Sequence, residues 1–252
     1  MTLLREGHNM TMAIVSQLGT AIVTGQYGDK NPFPIEAELC RQLGVSRSVL
    51  REAIKMLTAK GLLASRPRHG TSVQPESMWN LLDPDVLRWL LERKFSLDLL
   101  AQFAEMRLAV EPMAAMLAAR KATPTGIARI RKAIERMRAA ARGEDDPLES
   151  DIAFHVAVLQ ATGNRFYAQL EGLIETALRI SIQFTNQYKG VPLADVNEHR
   201  KIFDAIEARD PQRAGETMEK IIHEVMDLIA SARHRSRATK PTPRVRALEN
   251  ES

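Results

Sequence analysis

From residue 96 onward, apolar residues recur three and four positions apart, with no two-residue alternation between them. This spacing predicts helices near 97–121, 125–142, 148–162, 165–187, 193–208 and 211–234, which together make an all-α bundle. Caps support it: Ser96 precedes the first helix, Thr123-Pro124 the second and Asp210-Pro211 the last. Gly143, Gly163-Asn164 and Gly190 with Pro192 punctuate the intervals. Ahead of residue 96 the pattern is more varied. Residues 9–24 carry a helical apolar period that Gly25 and the NPFP at 31–34 break. A helix follows Pro34, then a Gly-containing turn, then a helix opened by Ser46 and stopped by Gly61. Two short β-prone runs around Arg66, Pro67, Arg68, His69 and Gly70 predict a hairpin. After Val73 and a QPES linker, residues 79–94 form a second short amphipathic helix, a connector.

The 252 residues suffice for two modest domains, and 44% hydrophobic content supports a core in each. The formal net charge of +4 suits nucleic acid without requiring it. A single cysteine, Cys40, excludes an internal disulfide and fits a reducing compartment, where a small buried hydrophobe is its expected role. No apolar run is long enough to span a bilayer, and the N-terminus has no signal-peptide pattern. The expectation is a cytoplasmic protein with no membrane partner.

The helix after Ser46 carries its cations in one stripe. Arg47, Arg51 and Lys55 recur every four residues, while Val49, Leu50, Ala53, Ile54 and Leu57 fall on the other side and would pack inward. Such a stripe fits the major groove and brings cations to phosphates and guanine edges. The basic hairpin has the make-up of a wing whose tip reaches the backbone or the minor groove. A surface helix with solvated charges is the competing reading. Between Ile35 and Val73 there are seven Lys/Arg against three acids, and with caps, turn and hairpin in order this favours DNA.

The run PIEAELCRQLGVSRSVLREAIKMLTAKGLL and the RHGTSV hairpin resemble the winged helix-turn-helix of GntR-type bacterial transcription regulators. The resemblance implies operator contacts from Ser46, Arg47 and Arg51 of the recognition helix and from His69 and Gly70 of the wing; Ser48, Lys55 and Arg68 complete the expected DNA-binding set. Members often have a basic residue between the two acids of the preceding helix, where this chain has Ala37, so that contact is missing here.

Within the bundle, Asp151 and His155 stand at i, i+4 on one face of an otherwise apolar helix, and His199 lies on another. A carboxylate and imidazoles from separate helices can bind a divalent cation such as zinc, nickel or manganese, or can be hydrogen-bonded structural groups. Arg107 is a lone cation among Leu, Ala, Val and Met. It could offer its fork to a carboxylate or pair with a nearby Glu. Arg179 poses the same choice, and Gln183, Asn186 and Asn197 could supply amides.

The stretches EMRLAVEPMAAMLAAR, Asp-x3-His at 151–155 and EHRKIFDAIEARD resemble the FCD ligand-binding domain of the FadR-type branch of that family. Such domains bind small organic acids in the bundle core, many beside a metal. The resemblance assigns Asp151, His155 and His199 as ligands, and Arg107 as facing the effector. The usual fourth ligand would fall at Ile221, whereas the chain has His223. Two residues turn a helical side chain by about 200°, which puts His223 on the wrong face. A three-ligand site completed by water or by effector oxygens remains open. Residues 78–94 resemble regulators of sugar-acid use, of the galactonate-responsive kind.

The expected fold is therefore mainly α. Residues 9–74 form a winged helix-turn-helix, 75–95 a linker and connector helix, 96–234 an all-α effector-binding and dimerisation domain, and 235–252 a basic disordered tail. The expected function is a sequence-specific repressor, acting as a homodimer on double-stranded operator DNA and released by a small carboxylate. The alternative is a metal-dependent enzyme using Asp151, His155 and His199, but no nucleophile–base pair or Gly-rich phosphate loop accompanies them.

Overall fold

A computed structural model describes residues 2–28, 30–66, 70–93, 96–189 and 195–238. The chain divides into two compact units: residues 1–96 with 169–180, and residues 97–168 with 181–252.

In the first unit, α1 (Thr2–Val23) starts earlier than the apolar period indicated. It packs against α3 (Arg47–Ala59) and α4 (Pro84–Arg93), while α2 (Glu36–Leu43) packs against α3. Ile14, Leu18 and Ile22 of α1, Leu39 of α2, Leu50, Ile54 and Leu57 of α3 and Trp89 of α4 are buried. Gly19 allows the indole in: a Cβ there would stand 2.3 Å from a ring carbon of Trp89. Strands β1 (Leu63–Arg66) and β2 (Gly70–Val73) pair antiparallel, with Leu63 opposite Val73 and Arg66 opposite Gly70.

The connector is shorter than its apolar run. Residues 76–78 form a 3-10 turn, and α4 begins only at Pro84. Asp83 sets that start by accepting from the Asp85 and Val86 amides at 3.0 and 3.3 Å. The end of α3 is tied to the same place. Lys60 Nζ reaches both Asp83 carboxylate oxygens at 2.8 Å and Asp85 at 2.9 Å. Gly61 follows at φ 78, where a Cβ would lie 2.2 Å from the Met78 carbonyl oxygen. Glycine is required there by backbone angle and by space together.

The second unit is helical among the described residues. It comprises α5 (Leu97–Lys121), α6 (Pro124–Ala141), α7 (Pro147–Ala161), α8 (Arg165–Gln169), α10 (Val196–Glu207), α11 (Pro211–Ala238) and the later part of α9 (Glu171–Lys189). The first half of α9 belongs to the other unit. One helix was expected over 165–187, but the chain breaks at Leu170 into α8 and α9. Gly172 stands in the first turn of α9, two residues past the break, and the apolar period runs through both. Helix α11 continues to Ala238, four residues into the expected tail, and the rest of that tail lies outside the described residues.

Helix α5 packs on α11, α7 and α10, and α6 on α7 and α10. Gly215 permits the α5–α11 approach, since a Cβ there would be 2.7 Å from Met116 Cγ. Thr123 and Asp146 cap α6 and α7 through their side chains. Buried in this unit among Phe154, Phe203 and many alanines are Arg107, Glu111, Asp151, His155 and His199. Five ionisable groups inside a core need a reason, because burial of a charge is costly unless it is matched.

Candidate functional site

Helix α3 sorts its residues by face. Leu50, Ala53, Ile54 and Leu57 are buried, and Val49, expected inside, is half-buried. Ser46, Arg47, Ser48, Arg51 and Lys55 are exposed. Ser46 caps the helix in extended conformation, and its hydroxyl oxygen accepts from the Val49 amide at 3.4 Å. Ser48 Oγ lies 2.9 Å from Ser46 Oγ. Lys55 Nζ donates to Glu52 at 3.4 Å. Arg51 Nε donates to Glu36 Oε2 of α2 at 2.9 Å. Gly70 opens β2 at φ 78, whereas Arg68 and His69 lie outside the described residues. The result is a capped helix with one polar, cationic face and a basic hairpin after it, the form of a winged helix-turn-helix.

The polar core of the second unit is built by three helices. Asp151 and His155 project from α7, His199 from α10 and Glu111 with Arg107 from α5. His199 Nε2 lies 3.1 Å from Asp151 Oδ1, and His155 Nε2 lies 3.4 Å from the same oxygen. The three ligand-type atoms of Asp151, His155 and His199 fall within 4.8 Å of one another. The other nitrogen of each ring is engaged. His199 Nδ1 donates to the Asp195 carbonyl at 2.8 Å, since a carbonyl can only accept. His155 Nδ1 donates to Glu111 Oε2 at 2.5 Å. Glu111 in turn receives Arg107 Nε at 2.5 Å and Nη2 at 3.3 Å. Phe154 meets both imidazoles edge to face, at 5.6 and 5.0 Å.

The charges follow from these contacts. Burial would raise the Glu111 carboxyl, but Arg107 and His155 outweigh it and hold the group at about 2. Burial would lower His155, but Glu111 and Asp151 push it up to about 9 against the opposing charge of Arg107. Asp151 is held well below the usual carboxylate range, burial being outweighed by His199 and His155.

One feature of the cluster bears on a cation. Asp151 Oδ1 and His199 Nε2 are both buried and both lack a hydrogen-bond partner. With Nδ1–H committed to the Asp195 carbonyl, Nε2 is the His199 atom left to face Asp151 Oδ1. A proton on that nitrogen or a cation between the two atoms would satisfy both. Ligands about 2.0–2.2 Å from one cation stand roughly 3–3.5 Å apart, which the two measured separations match. Each imidazole is held by an acceptor behind it, as metal-bound histidines are. The residues therefore fit a divalent cation with one oxygen and two nitrogen ligands.

Other expected residues stand elsewhere. His223 is exposed on α11, 3.4 Å from Glu219, and has no part in the cluster. Asn197 is exposed on the first turn of α10. Arg179 lies 3.2 Å from Glu175 on α9, among residues that group with the first unit. The side chains of Gln183 and Asn186 lie outside the described residues. Arg107 does belong to the buried cluster, but its guanidinium is engaged by Glu111. Glu111 is the member that sequence reasoning missed. The signal was present in the i, i+4 spacing of Arg107 and Glu111.

A winged helix-turn-helix followed by an α-bundle that encloses a histidine–carboxylate cluster is the build of a DNA-binding regulator. Residues 11–73 match the bacterial regulatory proteins of the gntR family, and residues 102–224 match the FCD domain. The chain is 37% identical over 208 residues to the galactonate operon transcriptional repressor of Escherichia coli K12, covering 82% of this chain and 90% of that one. It is 32% identical over 196 residues to a putative L-lactate dehydrogenase operon regulatory protein of the same organism, covering 74% and 73%. A solved structure of Lar, which controls expression of the Listeria monocytogenes agr system, shares the fold at TM-score 0.53 and 16% identity, covering 88% of this chain and 96% of that one. The chain belongs to the GntR family and carries an FCD domain: it is a DNA-binding transcription regulator. The relatives are regulators, and the enzyme alternative finds no support among them. No helix of the described residues is long and apolar enough to cross a membrane.

Proposed function

We propose that this chain is a cytoplasmic repressor, acting as a homodimer on a palindromic operator and released by a small carboxylate of the sugar-acid class. Residues 9–74 bind DNA, 75–95 connect, 96–234 take the effector and dimerise, and the basic residues of 235–252 add a solvated tail. The observation that carries the reading is the buried Asp151–His155–His199 cluster with two atoms, Asp151 Oδ1 and His199 Nε2, that lack a hydrogen-bond partner. Three protein ligands leave positions on a cation open, and a hydroxy-carboxylate has oxygens to fill them. Arg107 is the remaining effector candidate in the cluster, and an effector carboxylate would compete with Glu111 for its guanidinium. Arg179 and Asn197 are the further effector candidates. Likeness to a galactonate operon repressor supports an aldonate. Effector binding then shifts the protein toward an arrangement with lower operator affinity, by no more than its differential affinity for the two arrangements.

The test is a titration of a duplex selected from a random-sequence pool, followed by fluorescence anisotropy with and without a panel of aldonates. An aldonate should weaken operator binding by roughly 5- to 150-fold, the usual span of allosteric coupling. A selected duplex that no sugar acid releases would remove the effector class from the account.

A further inference from the structure

Glu36 is the first residue of α2, and Arg51 stands on the second turn of α3. Arg51 Nε donates to Glu36 Oε2 at 2.9 Å, and the side chains are 64% and 40% exposed. A pair so open to solvent adds little to the fold. It lies beside Lys55 on the wall of an open groove of about 520 Å³, with Ile54, Thr58, Ala59 and Ser65 completing the lining. Its position matters more than its strength. A guanidinium has several donors in a rigid fork, and engaging Nε leaves the two terminal nitrogens free. The carboxylate therefore holds a long, flexible side chain in one orientation before DNA arrives. It also places a negative charge among the cations of the DNA-facing stripe, which opposes phosphate on any sequence.

We propose that Glu36 is a positioning residue that sets sequence specificity, aiming the free end of Arg51 at one base edge and penalising DNA that lacks the matching base. The inference rests on reading α3 as the recognition helix. Specificity is a difference between affinities, and Glu36 acts on both terms. On the operator, a pre-ordered Arg51 forms its bidentate contact with less ordering cost. On other sequences the repulsion of Glu36 remains and nothing offsets it.

The experiment uses the full chain and two duplexes of equal length, the selected operator and a scrambled version. Affinities are measured over a range of salt for wild type, Glu36→Gln, Arg51→Ala and the double variant. Glu36→Gln should bind scrambled DNA more tightly and the operator no better, so that the affinity ratio falls on the order of tenfold, the worth of one good base contact. Selection repeated with Glu36→Gln should yield sites with one base preference per half-site flattened. In the Arg51→Ala background, Glu36→Gln should change the ratio no further, because the two act as a unit. Melting curves should match throughout, since both side chains are exposed. If Arg51→Ala weakens operator binding while Glu36→Gln keeps the wild-type ratio within twofold, the inference is wrong and the recognition helix stands. If Arg51→Ala leaves operator affinity unchanged, the assignment of α3 fails and this inference with it.

Discussion

Replacing Glu111 with Gln removes one negative charge from a place where almost no solvent can substitute for it. The residue is 1% exposed, with Arg107 and His155 at 3% each. Gln keeps the shape and one acceptor but leaves Arg107 buried beside a neutral group. Breaking a buried ion pair from one side costs about 3–5 kcal/mol, and the retained hydrogen bond puts this case at the lower end. For a chain of this size that corresponds to a fall of roughly 6–12 °C in melting temperature. The metal-binding consequence depends on pH. Loss of the carboxylate charge behind His155 should weaken a bound cation about 10- to 100-fold. Yet Glu111 also holds His155 near 9, so at pH 7 a proton competes with the metal in the wild type. The variant relieves that competition, and the two effects oppose each other at pH 7. Above pH 9 only the weakening remains. Melting curves of metal-free protein, with chelator-buffered metal titrations at pH 7 and above 9, test both parts. A variant that melts within about 2 °C of wild type, or one whose affinity deficit is no larger at high pH, would refute the reasoning.

His155 gives a second expectation in the metal-free protein. Its folded value of about 9 lies above the ordinary 6.5, so the protonated ring contributes stability in full below 6.5 and loses it as pH rises through 9; Glu111, Arg107, Asp151 and His199 face it in this window, and melting curves across it should fall. Metal affinity should move the other way, rising about tenfold per pH unit until His155 is deprotonated, as competition titrations would read. Lys60→Met should lower stability by about 1–3 kcal/mol, because it leaves Asp83 and Asp85 together without the ammonium between them; denaturant unfolding with no change in midpoint would contradict this. Gly19→Ala should destabilise by about 1–3 kcal/mol although alanine favours helix, because the new Cβ enters the Trp89 ring. A higher melting point in that variant would show that the indole can move aside.

The helices of the bundle were legible because their apolar period is strong and their ends carry chemical markers. Leu97–Lys121 ends where the pattern does, and Thr123-Pro124 caps α6 as its residue types imply. The break at Leu170 was not legible, since the apolar period runs through it and Gly172 alone reads as a tolerated helical glycine. The start of α4 was misplaced for the opposite reason. Leu81 and Leu82 extend the apolar run, but Asp83 and its link to Lys60 decide where the helix begins. In the site, the i, i+4 spacing of Asp151 and His155 was visible, but their meeting with His199 needed the packing of α10. Glu111 was overlooked because an acid on a helix is ordinarily a solvated charge. Only burial between Arg107 and His155 shows that it orients a ring. The Arg51–Glu36 contact was equally hidden, spanning two helices whose angle no residue pattern specifies.

The proposed effector site rests on Asp151, His155 and His199 holding a divalent cation whose open positions take the carboxylate. The most direct test is the metal stoichiometry of protein prepared without a polyhistidine tag, stripped and then titrated with zinc, nickel or manganese. Wild-type protein should take up a single ion per chain, with binding lost in Asp151→Ala and retained in His223→Ala. Wild-type protein that takes up no ion at micromolar metal, or an Asp151→Ala variant that binds as the wild type does, would contradict it.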